Sequence, residues 1–213
     1  MSERSEWLAW RRGGIGASDV AGILGLSPWA SPWSVWADKV GLTPDDESSE
    51  AMEFGLRAEP MLAGYFADRT GLEVTGQQQR WEHPDEPWMR CTVDAIVIED
   101  GMQVAVGEWK TTSATAAEWA DEVPIHYQCQ ATWTSVVTGF DVVWFGVLHL
   151  AFGRPAFRVY RFEPTPTDKL LVRDACSQFW RGHVVAGIPP EVDGTEATTD
   201  ALGVAWPNTS AEP

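Results

Sequence analysis

The sequence VDAIVIEDGMQVAVGEWK occupies residues 93–110 and decides the fold. Two apolar runs flank the turn signal EDG at residues 99–101, so this stretch predicts an antiparallel β-hairpin. We expect its strands to cover residues 89–98 and 103–110. Because consecutive side chains of a strand point to opposite faces, the polar residues near the end of the second strand divide between the two faces of the sheet.

Glu108 and Lys110 lie two residues apart and therefore share one face of the second strand, together with Val104 and Val106. Trp109 alternates away from them, and we expect it to be buried on the other face. A carboxylate beside an ammonium at the end of an apolar strand is also typical of a simple surface ion pair. The strand pattern alone leaves both interpretations open.

The register of the hairpin decides whether a second carboxylate joins this pair. If residues 100–102 form a three-residue loop, Asp94 lies directly opposite Glu108, with the two β-carbons roughly 5 Å apart. A two-residue loop would send Asp94 to the opposite face, because a slip of one residue reverses every side chain. Two facing carboxylates repel each other, and a divalent cation such as Mg²⁺ would offset this, with the Trp109 carbonyl as a further oxygen ligand.

The rest of the chain predicts helices and further strands around this hairpin. Helical patterns cover residues 17–24, 33–40, 51–70, 124–138 and 167–185, and strands are expected at 72–75, 142–150 and 156–162. Pro60 predicts a kink or a junction between two shorter helices. The order indicates an α/β fold with a mixed central β-sheet flanked by helices. We expect one domain over residues 1–187 and a loosely ordered tail over 188–213.

The composition excludes several classes of protein. The chain has 213 residues, of which 44% are hydrophobic, enough for a real core. Its three scattered cysteines form no Cys-x-x-Cys pair, which argues against a zinc ribbon or an iron–sulfur cluster. The start lacks a signal peptide pattern and no apolar run reaches the ~20 residues of a membrane helix, so we expect a cytoplasmic protein.

Charge and aromatic content bear on nucleic-acid binding. A net charge of −16 argues against it unless basic residues cluster, as Arg11 and Arg12 do. The chain contains 13 Trp. Of these, Trp29, Trp33 and Trp36 are more typical of a core or a helix contact than of a base-stacking platform.

The spacing of Asp94, Glu108 and Lys110 resembles the PD-(D/E)XK nuclease signature, with Val93 in place of its proline. Longer segments resemble the lambda-exonuclease/YqaJ-type viral recombinase family. They are RRGGIGASDVAGILGLSPW (11–29), FGLRAEP (54–60), CTVDA (91–95), GEWKTTS (107–113), YQCQ (127–130) and HVVAGIPPEVDG (183–194). These segments stand in order and span nearly the whole chain. The resemblance implies a restriction-endonuclease-like core.

The resemblance also implies roles for the residues of a metal site. Asp94 and Glu108 would hold the metal, and Lys110 would assist the attacking water. Glu59 resembles the helix-borne glutamate that completes the metal site in this family. Gln130 resembles the glutamine that touches the metal-bound water or the scissile phosphate. One or two Mg²⁺ ions are implied, with Mn²⁺ able to substitute.

A second group of residues resembles the pocket that binds a 5′-phosphate. Arg11 is similar to the family's phosphate-binding arginine. Ser18, expected at a helix N-terminus, would add its hydroxyl and backbone N–H groups. Arg12 is a weaker candidate for this pocket, and Gln128 is a weaker candidate for the glutamine of the metal site.

The activity implied is 5′→3′ resection of double-stranded DNA ends, by a phage or prophage protein in a bacterial cell. The 3′ strand left behind would serve a single-strand annealing protein, and the family includes ring-shaped trimers. One alternative is a RecB-like or CRISPR-associated nuclease of other polarity or endonuclease action. Another is a DNA-binding protein without catalysis on the same fold. The intact acids and lysine argue against this non-catalytic alternative. A third alternative, a protein unrelated to nucleic acid, is supported only by the acidic composition.

Overall fold

The computed structural model describes residues 3–43, 50–115, 119, 122–151 and 155–207. Its helices are α1 (Glu3–Arg12), α2 (Val20–Ile23), α3 (Pro32–Lys39), α4 (Glu50–Thr70), α5 (Ile125–Thr138), α6 (Pro166–Phe179) and α7 (Glu196–Ala205). Its strands are β1 (Glu73–Thr75), β2 (Gln79–Glu82), β3 (Arg90–Val93), β4 (Ala95–Glu99), β5 (Met102–Thr112), β6 (Val143–His149) and β7 (Ala156–Phe162).

A five-stranded mixed sheet forms the centre, in the order β1-β4-β5-β6-β7. The β5–β6 pair is parallel, and the other neighbours in the sheet are antiparallel. Strands β2 and β3 form a separate antiparallel pair, and β2 was not predicted from the sequence. Helices lie on both faces, so the predicted α/β fold with a mixed central sheet is confirmed.

The turn of the β4–β5 hairpin contains two residues, so the prediction of a three-residue loop is wrong. Glu99 pairs directly with Met102. Asp100 and Gly101 between them both have positive φ, 50° and 76°, which is the backbone that a tight two-residue hairpin turn requires. By itself this turn would direct Asp94 away from Glu108.

A β-bulge next to the turn restores the pairing of the two acids. The register shifts by one residue between Val97 and Ile98, and Val104 of β5 is the extra residue. Beyond the bulge the strands pair as an odd-length loop would have paired them. Extending the ladder by one residue from its last pair therefore places Asp94 opposite Glu108.

The bulge also corrects the prediction for Val104. The sheet separates two apolar clusters, one beneath α5 and the other beneath α4. Val106 is buried in the first cluster together with Phe145 and Trp133, whereas Val104 packs against the second. Val104 therefore does not share the face of Glu108, as the simple alternation predicted.

Helix boundaries largely follow the sequence signals. The Ser31 hydroxyl accepts a hydrogen bond from the Ser34 N–H at 3.1 Å and so caps α3. Gly139 ends α5 in the left-handed conformation. Helix α4 continues without interruption through Pro60, so the predicted junction between two helices is wrong. Helix α6 continues into a π-helical turn, Trp180–Val185.

The C-terminal segment contains an ordered helix. Thr198 of α7 is fully buried, and its hydroxyl donates to the Ser31 hydroxyl at 2.7 Å. The ring of Trp206 lies 5.7 Å from that of Trp33. The prediction of a loosely ordered tail is therefore wrong for residues 196–205. Within the ranges given above, no helix combines the length and the apolar character needed to cross a membrane.

Trp109 is buried on the α4 side of the sheet, as predicted. Its indole lies flat over the two glycines at positions 107 and 146. A β-carbon at Gly146 would lie 2.7 Å from Cε3 of Trp109 and 2.9 Å from Cζ of Phe157. At Gly107 it would lie 2.7 Å from Cη2 of Trp109. The absence of side chains at these two positions makes room for the indole.

We expect Gly146→Ala to lower the free energy of unfolding by about 1–3 kcal/mol, because the added methyl group overpacks the core against Trp109. Urea denaturation followed by circular dichroism measures this. Gly64→Ala is the matched control, since a β-carbon at this position of α4 meets no atom within 4 Å. It should stabilise the protein by about 0.5–1 kcal/mol. Equal effects of the two substitutions would contradict the packing described.

A buried ion pair ties the N-terminal segment to α3. Lys39 Nζ is fully buried and lies 2.6 Å from Asp19 Oδ2, and it also donates to the backbone carbonyl of Arg11 at 3.2 Å. The Arg11 guanidinium lies 3.4 Å from Asp19 Oδ1. Burial by itself would raise the pKa of Asp19, but Lys39 and Arg11 outweigh it and lower that pKa below 3.8.

Lys39→Met should lower the free energy of unfolding by about 3 kcal/mol at neutral pH, because it leaves the buried Asp19 carboxylate with less compensation. The lowered pKa of Asp19 means that the stabilisation is present above 3.8 and is lost as the pH falls. The difference between the two proteins should therefore shrink at acidic pH in urea titrations. Arg57→Met, at an exposed i,i+4 pair, should change stability by less than about 1 kcal/mol. A pH-independent difference would contradict this account.

Candidate active site

Asp94 lies at the junction of the two sheets, between β3 and β4. Extending the β2–β3 ladder by one residue places Gln78 opposite it, and extending the β4–β5 ladder places Glu108 opposite it on the other side. Asp94 Oδ2 accepts a hydrogen bond from the Trp109 N–H at 2.7 Å. Asp94 is therefore held by the backbone of β5 and flanked by polar side chains from both ladders.

Glu108 is almost completely buried, with 4% of its surface exposed. Its Oε1 atom accepts a hydrogen bond from Lys110 Nζ at 2.6 Å and another from the side-chain amide of Gln130 on α5. Lys110 Nζ also lies 5.2 Å from the centre of the Tyr127 ring. Strand β5 and helix α5 thus bring together the carboxylate, the lysine and the glutamine that the sequence indicated.

Glu59 joins this group from α4. Both of its carboxylate oxygens accept hydrogen bonds from Gln78 Nε2, at 2.8 and 2.9 Å. The same nitrogen lies 3.2 Å from Asp94 Oδ1. The sequence-predicted residues of the metal site are therefore assembled in one polar cluster. Gln78, which belongs to the cluster, was not predicted, because the sequence around it is GQQQR and nothing distinguishes it from the other two glutamines.

The electrostatics of this cluster reflect its excess of negative charge. Burial and then the negative charge of Glu108 raise the pKa of Asp94 well above its usual value. Burial also raises the pKa of Glu59, and Glu108 adds to the effect. For Lys110, burial disfavours the ammonium form, but Glu108 and Asp94 outweigh it and raise the pKa above its ordinary value. Lys110 is therefore a charged donor beside Glu108.

The acid cluster offers carboxylate oxygens, but its side chains are not gathered into a ligand set. In the part of the chain that the structure describes, no three His, Cys, Asp or Glu side chains stand close enough together to form a ligand set. The Gln78 amide bridges two of the acids, and Lys110 and Gln130 bind the third. Carboxylate oxygens are the ligands that Mg²⁺ prefers, and the raised pKa of Asp94 means that added positive charge would be favourable there.

Arg11 and Ser18 line a common pocket of about 420 Å³, together with the exposed Trp29 and residues of α3 and α7. Ser18 lies within a three-residue 3₁₀ turn, Ala17–Asp19, that leads into the four-residue helix α2. The predicted short helix is therefore present, but Ser18 lies inside the 3₁₀ turn and Asp19 is the N-cap residue of α2. The Asp19 carboxylate instead accepts a hydrogen bond from the Gly16 N–H at 2.7 Å and orders this turn.

The two weaker candidates point elsewhere. Arg12 lies 3.8 Å from Asp38 and donates to the Thr43 carbonyl at 3.1 Å. Gln128 Nε2 donates to the Val123 carbonyl at 2.6 Å and lines a separate pocket of about 410 Å³.

A row of rings connects the Arg11 pocket to the acid cluster. The Trp29 ring, 69% exposed, meets the His126 ring edge-on at 5.0 Å, and His126 lies 4.2 Å from the Tyr127 ring. Tyr127 in turn lies beneath Lys110. The sequence suggested a core position or a helix contact for three tryptophans. Trp33 and Trp36 are buried in the core, whereas Trp29 is exposed and contacts His126 of α5.

Solved structures with the same fold include known exonucleases. An alkaline exonuclease (LHK-Exo) from Laribacter hongkongensis matches with a TM-score of 0.69 and 21% identity, over 86% of this chain and 94% of that one. A phage related exonuclease from Haemophilus somnus 129PT matches with a TM-score of 0.62 and 10% identity, over 81% and 94% of the two chains. The predicted restriction-endonuclease-like core is thereby confirmed.

Sequence comparison identifies the family. The uncharacterized protein YqaJ of Bacillus subtilis (strain 168) is 35% identical in an alignment of 204 residues that covers 93% of this chain and 62% of that protein. The chain thus spans less than two thirds of this relative. The pattern of the YqaJ-like viral recombinase domain matches residues 6–141, a range that contains every candidate site residue. The chain belongs to the family of YqaJ-like viral recombinase domains.

Proposed function

We propose that the protein is a metal-dependent deoxyribonuclease that resects double-stranded DNA ends in the 5′→3′ direction. The observation that carries this proposal is the polar cluster at the junction of the two sheets. Asp94, Glu108 and Glu59 come from three separate elements, and Lys110 and Gln130 both bind the buried Glu108. Like charges held this close in a partly buried site repel one another, which costs free energy. A bound cation would offset that cost.

Asp94, Glu108 and Glu59, with the backbone carbonyl of Trp109, would hold one or two Mg²⁺ ions, and Mn²⁺ could take their place. Such an ion lowers the pKa of a bound water and stabilises negative charge on the phosphate. The Trp109 N–H holds Asp94 Oδ2 in place, so this acid is oriented by the strand that also carries Glu108.

Lys110 would act as a charged hydrogen-bond donor. Its raised pKa favours the ammonium form, which can orient the attacking water and offset negative charge that develops on the phosphate. Gln130 shares Glu108 Oε1 with Lys110, so its amide is held close enough to contact the water or the scissile phosphate.

The Arg11 pocket would bind the 5′-phosphate of the strand to be degraded. The Arg11 guanidinium forms an ion pair with Asp19, and a guanidinium has several N–H donors. Ser18 offers an exposed hydroxyl in the same pocket. The open face of Trp29 is available to stack on the terminal base. Because the rings of His126 and Tyr127 connect Trp29 to Lys110, a phosphate held here would lie on the side of the molecule where cleavage occurs.

Family membership supports a place in phage-type recombination. The remaining 3′ strand would be passed to a single-strand annealing protein in the bacterial cytoplasm. A ring-shaped trimer would keep the enzyme on its substrate.

Linear duplexes with and without a 5′-phosphate, each strand labelled separately, test the proposal in the presence of Mg²⁺. We expect loss of label from 5′ ends, faster with the phosphate, and no cutting of closed circular DNA. Arg11→Ala should reduce the phosphate preference, whereas Arg12→Ala, its neighbour directed towards Asp38, should leave that preference intact. Cleavage of closed circles would instead indicate an endonuclease, and loss from 3′ ends would overturn the polarity.

Lys110→Ala should reduce the cleavage rate by at least about 10²-fold, because it removes the donor beside the attacking water. Binding of duplex DNA, measured by fluorescence anisotropy in Ca²⁺, should survive. Lys169→Ala, which removes a lysine paired with Asp141 on the surface, serves as the control and should cleave normally. Cleavage by the Lys110 variant close to that of the unmodified protein would remove this lysine from the mechanism.

A further inference from the structure

Gln78 is the polar side chain of the acid cluster for which the mechanism above has no use. Its amide nitrogen donates to both oxygens of Glu59, at 2.8 and 2.9 Å, and lies 3.2 Å from Asp94 Oδ1. The Gln78 amide therefore links Glu59 of α4 to Asp94 at the sheet junction. Lys110 and Gln130, by contrast, both bind Glu108.

The local backbone fixes where this amide lies. Gln78 ends the turn between β1 and β2, and its φ of 53° is in the left-handed region, as is the φ of Gly76 at 66°. Strand β2 begins at the next residue and pairs with β3, so the side chain at position 78 reaches Asp94 across the ladder. A residue other than glycine or asparagine in this region costs free energy. At position 78 the strained backbone conformation directs the glutamine side chain to a place between two acids.

Glu59 has few other means of staying near Asp94. It is only half-buried, and its side chain has several rotatable bonds. Without a donor between them, the like charges of Glu59 and Asp94 favour rotamers that separate the two carboxylates. The Gln78 amide offsets this repulsion and reduces the conformational freedom of Glu59 before an ion binds. This lowers the free-energy cost of bringing the metal-binding side chains together.

We infer that Gln78 is a positioning residue that holds Glu59 against Asp94 in the arrangement that receives the divalent ion. This inference rests on the proposed function, because it concerns the metal site of that function. It assigns to the β1–β2 turn a part in metal affinity, although the turn supplies none of the proposed ligands. Partners of this kind typically change metal affinity by 10–100-fold when they are removed.

Binding of Mn²⁺ to the 213-residue chain without DNA, measured by electron paramagnetic resonance, tests the inference independently of catalysis. Gln78→Ala should weaken Mn²⁺ binding by about 10-fold. Gln78→Gly removes the amide and permits the left-handed backbone, so an equal loss with this variant assigns the effect to the amide and not to strain in the turn. Gln77→Ala, at the exposed neighbouring position, is the matched control and should bind Mn²⁺ as the unmodified protein does.

A double-mutant cycle tests whether Gln78 acts through Glu59. In a Glu59→Ala background, Gln78→Ala should change Mn²⁺ affinity by less than about 2-fold, because the side chain that it positions is gone. A further large loss in that background would overturn the inference. So would unchanged or tighter Mn²⁺ binding by Gln78→Ala alone, the latter meaning that the amide competes with the ion.

Asp94→Ala separates failure of this inference from failure of the proposed function. If the protein binds Mn²⁺ and Asp94→Ala abolishes that binding while Gln78→Ala has no effect, only the role of Gln78 is wrong. If Asp94→Ala binds Mn²⁺ normally, the proposed metal site itself is wrong, and the inference fails with it.

Discussion

Repulsion among three neighbouring carboxylates is the constraint on which the organisation of this protein depends. Asp94, Glu108 and Glu59 reach one place from the sheet junction, strand β5 and helix α4. Burial, and after it the negative charge of Glu108, raises the pKa of Asp94 and of Glu59. Each acid is matched by a donor: the Trp109 N–H, the Lys110 ammonium and side-chain amides. These donors offset the repulsion only in part, and the proposed divalent cation would offset what remains.

The same electrostatics bear on how a chain with a net charge of −16 would act on DNA in the proposed function. A cation in the acid cluster would reverse the local charge where the phosphate must approach. Arg11 supplies positive charge at the other end of the row of rings, where it also forms an ion pair with Asp19. The buried Lys39 pairs with the same carboxylate, so two cations share Asp19. Localised positive charge, and not a broad basic face, would then determine DNA binding.

The rigid parts of the fold serve to hold these few side chains. Trp109 fills the α4 side of the sheet above two glycines, while its neighbours in sequence, Glu108 and Lys110, face α5. Packing of the indole therefore fixes the strand whose other face carries the chemistry. The bulge at Val104 has an equally indirect effect, because it adjusts the register between a tight turn and the acids several residues away. Neither feature touches the proposed substrate.

The sequence by itself determined the mixed α/β fold, most helix boundaries, the burial of Trp109 and the residues that meet in the cluster, because periodicity, capping residues and family motifs are local signals. It also indicated that Asp94 faces Glu108, but for the wrong reason. A two-residue turn and a bulge produce that pairing together, and their balance depends on packing on both faces of the sheet. Tertiary structure alone decided the position of Gln78, since three consecutive glutamines look alike until a ladder and a left-handed turn bring one of them between two acids. It alone also revealed the Lys39–Asp19 pair and the ordered helix α7, because buried charge pairs and long-range helix contacts join residues far apart in the chain.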